Sequence, residues 1–374
     1  MGDTITAFHS QYADLFGRRE ARWHSEQYLR GLLARADSRR SAATIAGVDG
    51  ATPRALQRFL SSSGWSVGPL IAAIQRDLGA LLSAPDGVFV LGEIGFRKQG
   101  TKSVGVGRQP CGRLADVANC QVGVFLAYAS ERGQALVDAR LYLPREWIDD
   151  AERRRAAGIP PEIGYRTREE LGLEMLGLAR RRGSLTGEWL ASDGRYAQSV
   201  ALRHALDAEG LRYVLEVPRT TPIYSAPHAA AVFATPAVAR PSDRCPVIGS
   251  LTATGWQEST LPTPKGTSST YRFAVRRVQD SKEGDPGVDR WLVVRRDMAG
   301  GDPRYYLSNA AQDTPLATVA HVAGLREATA PLFRDGRGET GLGEYEVRGW
   351  QGWHRHVTLA LLAGTYLAYV RASA

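Results

Sequence analysis

"VFVLGEIGFRKQGTKSVGVGRQP", Val88 to Pro110, is the stretch from which the fold is read. An apolar run, Val88–Leu91, leads into Gly92 and Glu93, and Arg97, Lys98, Lys102 and Arg108 follow across a glycine-bearing turn. Branched and aromatic residues bounded by glycine predict a strand. A strand that ends in a carboxylate and a basic turn can deliver a catalytic acid to the edge of a sheet. The position best placed for that acid, 92, is glycine. Glu93 is adjacent, but successive strand side chains point to opposite faces, so it would need a bulge, which Gly92 could permit.

Upstream, residues 8–83 carry helical spacing. "ARWHSEQYLRGLLARA" (Ala21–Ala36) and "VGPLIAAIQRDLGALLSA" (Val67–Ala84) are amphipathic, and Thr52 and Pro53 supply an N-cap and a first helical residue. Downstream, "SVGVGRQPCG", "CQVGVFLAYAS" and "QALVDARLYLP" read as further strands of an antiparallel meander. "TREELGLEMLGLARRRG" is a helix opened by a capping box, Thr167 with Glu170. A short strand before "SDGRY", a helix ending at Gly210 and the strand "LRYVLEVP" complete a mixed α/β layer. Residues 222–312, rich in Pro, Gly, Ser and Thr, read as a β-rich insertion, and helices return after Thr314. The expected divisions are a helical lobe at 1–86, a core at 87–221 and 313–374, and the insertion at 222–312.

With 374 residues, two or three lobes are expected. The 43% hydrophobic and 23% charged content is that of a folded soluble protein. No apolar run reaches membrane-spanning length, and the N-terminus has no signal-peptide core, so the expected location is the cytoplasm and no membrane partner is expected. Cys111, Cys120 and Cys245 have no metal-ligand spacing and suit a reducing compartment. Net charge is +8; of 47 basic residues, four are lysine and 43 arginine. A GC-rich genome accounts for that bias, and so does a polyanionic partner. Two of the four lysines, Lys98 and Lys102, sit together in the opening stretch.

The chain resembles the insertion-sequence transposases of the Asp-Asp-Glu class, bacterial proteins with an RNase H-like core. The resemblance rests on "GEIGFRKQGTKSVGVGRQPCG", "NCQVGVFLAYAS", "LYLPREW", "SDGRYAQ", "LRYVLEVP" and "GLGEYEVRGWQGWHRHVTLALLA", in that order. It implies an α/β fold: an RNase H-like mixed-sheet core with a helical N-terminal lobe and a β-rich insertion between the second Asp and the Glu. It also implies three carboxylates that hold divalent ions, suited to Mg²⁺, for in-line phosphoryl displacement on DNA. Carried over residue by residue, the first Asp falls on Gly92, the second on Asp193, and the Glu on Ala330 or Pro331. Two of three carboxylates are missing on this assignment, and Mg²⁺ is expected to be lost with them, leaving no cofactor. Glu327, one helical turn before Ala330, and Glu339 are the other acids near the third position.

Three functions follow as expectations. One is a DNA-binding, cleavage-deficient transposase relative, with Lys98, Lys102 and Arg108 gripping duplex phosphates. Another is a repurposed enzyme acting on a small molecule in the former cleft, with Asp193, Glu93, Lys98 or Tyr196 as acid or base. The third is an active transposase with shifted carboxylates. Trp350, Trp353 and His354 either stack on bases or a flat ligand, or pack the last helix. "TPIYSAPH" (Thr221–His228) ends a strand with Tyr224 and His228, and no partner for a Ser–His nucleophile is seen there. A homo-oligomer is compatible with each reading.

Overall fold

Helical spacing at the N-terminus produces, among the described residues, helices α1 (Gly2–Ser10), α2 (Arg19–Leu33), α3 (Pro53–Ser61) and α4 (Val67–Leu82). Thr52 caps α3, its hydroxyl accepting from the Ala55 amide at 3.2 Å, with Pro53 at the first helical position. The computed structural model describes residues 2–34, 45–46, 50–111, 116–221, 223–225, 244–245, 255–262, 268–280 and 288–373. Lys265, Lys282 and His228, and the side chains of Tyr224 and Cys245, lie outside the described part.

The chain forms two compact units, one of residues 1–87, 92–186 and 331–374, the other of 88–91 and 187–330. In the first, β2 (Gly107–Pro110) and β4 (Gly133–Tyr142) both pair antiparallel with β3 (Val117–Ser130). Strand β1 (Val88–Arg97) lies on the other side of β3. This corrects the expected meander: β2 does not sit between β1 and β3. With only four residues it shares one edge of β3 with β4, taking Val117–Cys120 while β4 takes Val122–Ser130. Two short helices, α5 (Arg145–Ile148) and α6 (Ala151–Ala157), lead to α7 (Arg168–Arg182), whose capping box has both halves in place. Helix α7 packs on β3 and β4.

In the second unit, Val88–Leu91 of β1 pair parallel with β5 (Trp189–Ser192), from Val88↔Trp189 to Leu91↔Ser192. Parallel strands need a crossover. Helices α8 (Gly194–Ala197) and α9 (Val200–Ala208) provide the one from β5 to β6 (Arg212–Val217). The insertion adds β7 (Ile223–Ser225), β8 (Arg244–Cys245), β9 (Gln257–Pro262), β10 (Ser268–Asp280), β11 (Val288–Asp297) and β12 (Arg304–Ser308). Strand β12 pairs antiparallel with β6, and the order continues β11, β10, β7, β8, with β9 on β10. Helix α10 (Leu316–Ala328) packs on β5, β6 and β9. Two further helices, α11 (Ala330–Thr340) and α12 (Trp350–Ala372), close the chain, and α12 packs on β4, α2, α3 and α4.

An antiparallel group followed by parallel strands reached through helices makes this the expected RNase H-like mixed α/β core. Strand β1 is buried from Val88 through Phe96, as its nearly continuous apolar run requires. Among the described residues no helix is long and apolar enough to cross a membrane.

Candidate functional site

Strand β1 sends Gly92 and Glu93 to opposite faces. A Cβ built at Gly92 would meet the Phe333 ring, 2.5 Å from Cε1 and 2.8 Å from Cδ1. Real Cβ atoms do not approach so closely, so the space a side chain at 92 would need is taken by Phe333. On the other face, Glu93 is buried and its Oε2 accepts from Arg168 at 2.7 Å. The same guanidinium donates to Gln109 Oε1 at 3.1 Å and lies 4.7 Å from the Tyr142 ring centroid. Helix α7 thus supplies a counter-charge that fixes Glu93 in an ion pair.

In the second unit, β5 ends at Ser192, and Asp193 is the N-cap of the four-residue helix that follows. Its Oδ1 accepts from the Arg195 amide at 3.3 Å. Tyr196, three residues after Asp193, is buried within that turn. Helix α10 ends at Ala328, capped by Thr329, and a new helix starts at Ala330 with Pro331 in its first turn, where proline costs no hydrogen bond. Glu327 lies within 3.0 Å of Arg304, 3.3 Å of Arg326 and 3.9 Å of the buried Arg295. Glu216, at the end of β6, takes Arg326 at 3.1 Å and Arg304 at 3.4 Å. Two carboxylates among three guanidiniums make this a network of ion pairs. Glu339 is exposed and meets Arg371 through both carboxylate oxygens, at 3.0 and 2.9 Å.

The basic turn after β1 is held by captured carbonyls. Asn119 Nδ2 donates to Lys98 O at 2.8 Å and Gly100 O at 3.1 Å, Arg153 to Thr101 O at 2.9 Å, and Gln121 Nε2 to Val104 O at 2.6 Å. Lys102 and Arg108 are exposed, as is Arg97, which faces Asp116 at 3.7 Å. Lys98 turns back instead, its Nζ 3.8 Å from the Tyr345 ring centroid, and burial lowers its pKa to about 8. Tyr345 also receives the indole N–H of the buried Trp353 at 3.2 Å and donates to Gln121 Oε1 at 2.9 Å. The structure therefore brings Lys98 and Trp353 to one tyrosine. Trp350 stays at the start of α12, its ring 4.2 Å from that of His354. His354 Nδ1–H donates to Trp350 O at 2.9 Å, and burial lowers its pKa to about 4.

Sequence reasoning missed Phe333, Arg168 and Asn119. Phe333 stands in "ATAPLF", but its meeting with Gly92 spans most of the chain and leaves no local pattern. Arg168 could be found only as a basic residue in the first turn of a helix, where the dipole disfavours cations. Among the described residues no group of three or more His, Cys, Asp or Glu is placed to hold a metal ion.

Compared with known proteins, the chain matches the family profile described as DDE superfamily endonuclease over residues 11–282. No curated protein matches. Among solved structures it is similar to the piggyBac transposase in its synaptic complex with hairpin DNA, at 10% identity and a TM-score of 0.45, over 99% of this chain and 72% of that one.

Proposed function

The chain belongs to the DDE superfamily of endonucleases, and from that premise we propose that it is a member that has given up metal-dependent strand cleavage and keeps duplex DNA as its partner. The observation that carries the loss of cleavage is Phe333 against Gly92. Where the family's chemistry needs a carboxylate, this chain has no side chain, and an aromatic ring takes up the space. The acids nearest the first and third assigned positions support the same reading. Glu93 is bound to Arg168, and Glu327 to Arg304 and Arg326. The residues at these positions do not fit a pair of divalent ions. One carboxylate, Asp193, stands where the mechanism uses three, and an octahedral ion there would keep mostly water ligands.

DNA binding is supported by the turn after β1. Its carbonyls are captured by Asn119, Arg153 and Gln121, so Lys102 and Arg108 are presented to solvent on a braced backbone. Little loop ordering is then left to be lost on binding. Lys98 is not part of this grip, because it is drawn onto Tyr345.

The test is a salt titration with duplex DNA. Affinity should fall steeply as salt rises, since each neutralised phosphate releases a counterion. Lys102→Gln with Arg108→Gln should weaken binding and lower the slope of log K against log salt by about 2. Lys98→Gln should leave the slope unchanged. Failure to bind duplex at low ionic strength would sink the DNA reading.

A further inference from the structure

The first unit holds a cavity of about 710 Å³ that is separate from Gly92 and the basic turn. It opens between the start of α4, strand β4, residues 158–171, helix α7 and the first turns of α12. Its walls are largely apolar, with Val67, Ile71, Leu141, Ile163, Leu171 and Val357, and Trp350 and Trp353 also line it. A volume in the range of roughly 300–1,000 Å³, apolar walls and a few convergent polar groups characterise small-molecule sites.

The polar groups are concentrated in one chain of ion pairs. Glu174 lies between Arg140 (3.3 Å) and Arg166 (2.5 Å), and Arg140 also holds the fully buried Asp138 at 2.6 Å. Arg182, whose guanidinium donates to Gln75 Oε1 at 2.8 Å, lines the same space. Three guanidiniums thus stand with two carboxylates, an excess of one positive charge. A fourth, Arg355, is turned to the carbonyls of Leu60 (3.1 Å) and Trp65 (2.7 Å), and the lining's other acid, Glu162, is exposed. Apolar walls with indole rings, and one unneutralised positive charge among arginines, suit a flat ring bearing a single negative charge.

We propose that this cavity binds a small aromatic carboxylate, its ring among Trp350, Trp353 and His354 and its carboxylate on Arg166 and on Arg182, the guanidinium that meets the neutral Gln75 rather than a carboxylate. His354 takes part as a neutral ring, its Nδ1–H committed to Trp350 O. Arginine meets a carboxylate through parallel N–H bonds, so the charged end fixes the ligand's orientation. This site is independent of the DNA reading and stands or falls without it.

The probe is 1-naphthoate, with its neutral isostere 1-naphthamide, titrated against the full chain by calorimetry and tryptophan fluorescence. One saturable site for 1-naphthoate is expected, with the amide about tenfold weaker or more. Two variants locate it. A Cβ at Gly68, which lines the cavity near the start of α4, meets open space. Gly68→Phe should therefore keep the wild-type melting temperature and lose binding. Arg166→Gln, at a half-exposed side chain, should bring 1-naphthoate down to the affinity of the amide. Absence of saturable binding, equal affinity for the two probes, or unchanged binding in either variant would overturn the proposal. DNA affinity should be the same in both variants, which separates this test from the salt titration.

Discussion

At Gly92 the absence of a side chain is a packing requirement. The Phe333 ring leaves no room for a Cβ, so Gly92→Ala must push the ring or the strand. Overpacking of this kind costs about 1–3 kcal/mol. A denaturant cycle with Phe333→Ala should show the Gly92→Ala cost falling towards zero when the ring is removed. Equal costs in both backgrounds would mean that the ring does not fill that space. His356 supplies a second test. It is buried, receives the Tyr28 hydroxyl at Nδ1 (2.8 Å) and donates from Nε2 to Leu342 O (3.2 Å). Burial lowers its pKa to about 4. The unfolded chain, with an ordinary imidazole near 6.5, binds the proton first, so stability is complete above pH 6.5 and drains as pH falls towards 4. That loss is of the order of 3 kcal/mol. His356→Gln should flatten the slope of stability against pH across that window, and an unchanged slope would remove His356 as its source. Much of this scale was hidden from sequence reading. The glycine at 92 was visible, but Phe333 and Tyr28 reach their partners from distant parts of the chain.

Between elements, the Glu93–Arg168 pair joins β1 to α7. Both side chains are largely buried, so removing one leaves the other uncompensated, at about 3–5 kcal/mol. Arg168→Met should therefore destabilise strongly by chemical denaturation, and Glu93→Met together with Arg168→Met should recover most of the loss. If the single variant is neutral, Glu93 is not held as described and its catalytic reading reopens. Local signals at this scale were legible. The Thr167–Glu170 capping box and Thr52 with Pro53 follow from rules that act over three or four residues. Pairing partners were less so. Strand β2 was expected between β1 and β3, yet lies beyond β3, because four residues carry too little pattern to fix an edge.

For the whole molecule, we propose a changed chemistry on a family scaffold. The order of long motifs carried the family, since they repeat constraints along most of the chain. The cavity beside α12 was not legible, because its residues come from four separate stretches and only Trp350, Trp353 and His354 drew attention in sequence. The central claim, a DDE-superfamily chain without strand cleavage, is tested most directly by nicking of supercoiled plasmid with Mg²⁺ and with Mn²⁺, wild type beside Asp193→Ala. The account predicts that the two proteins are indistinguishable from each other and from buffer. Metal-dependent nicking by the wild type that disappears in Asp193→Ala would contradict it.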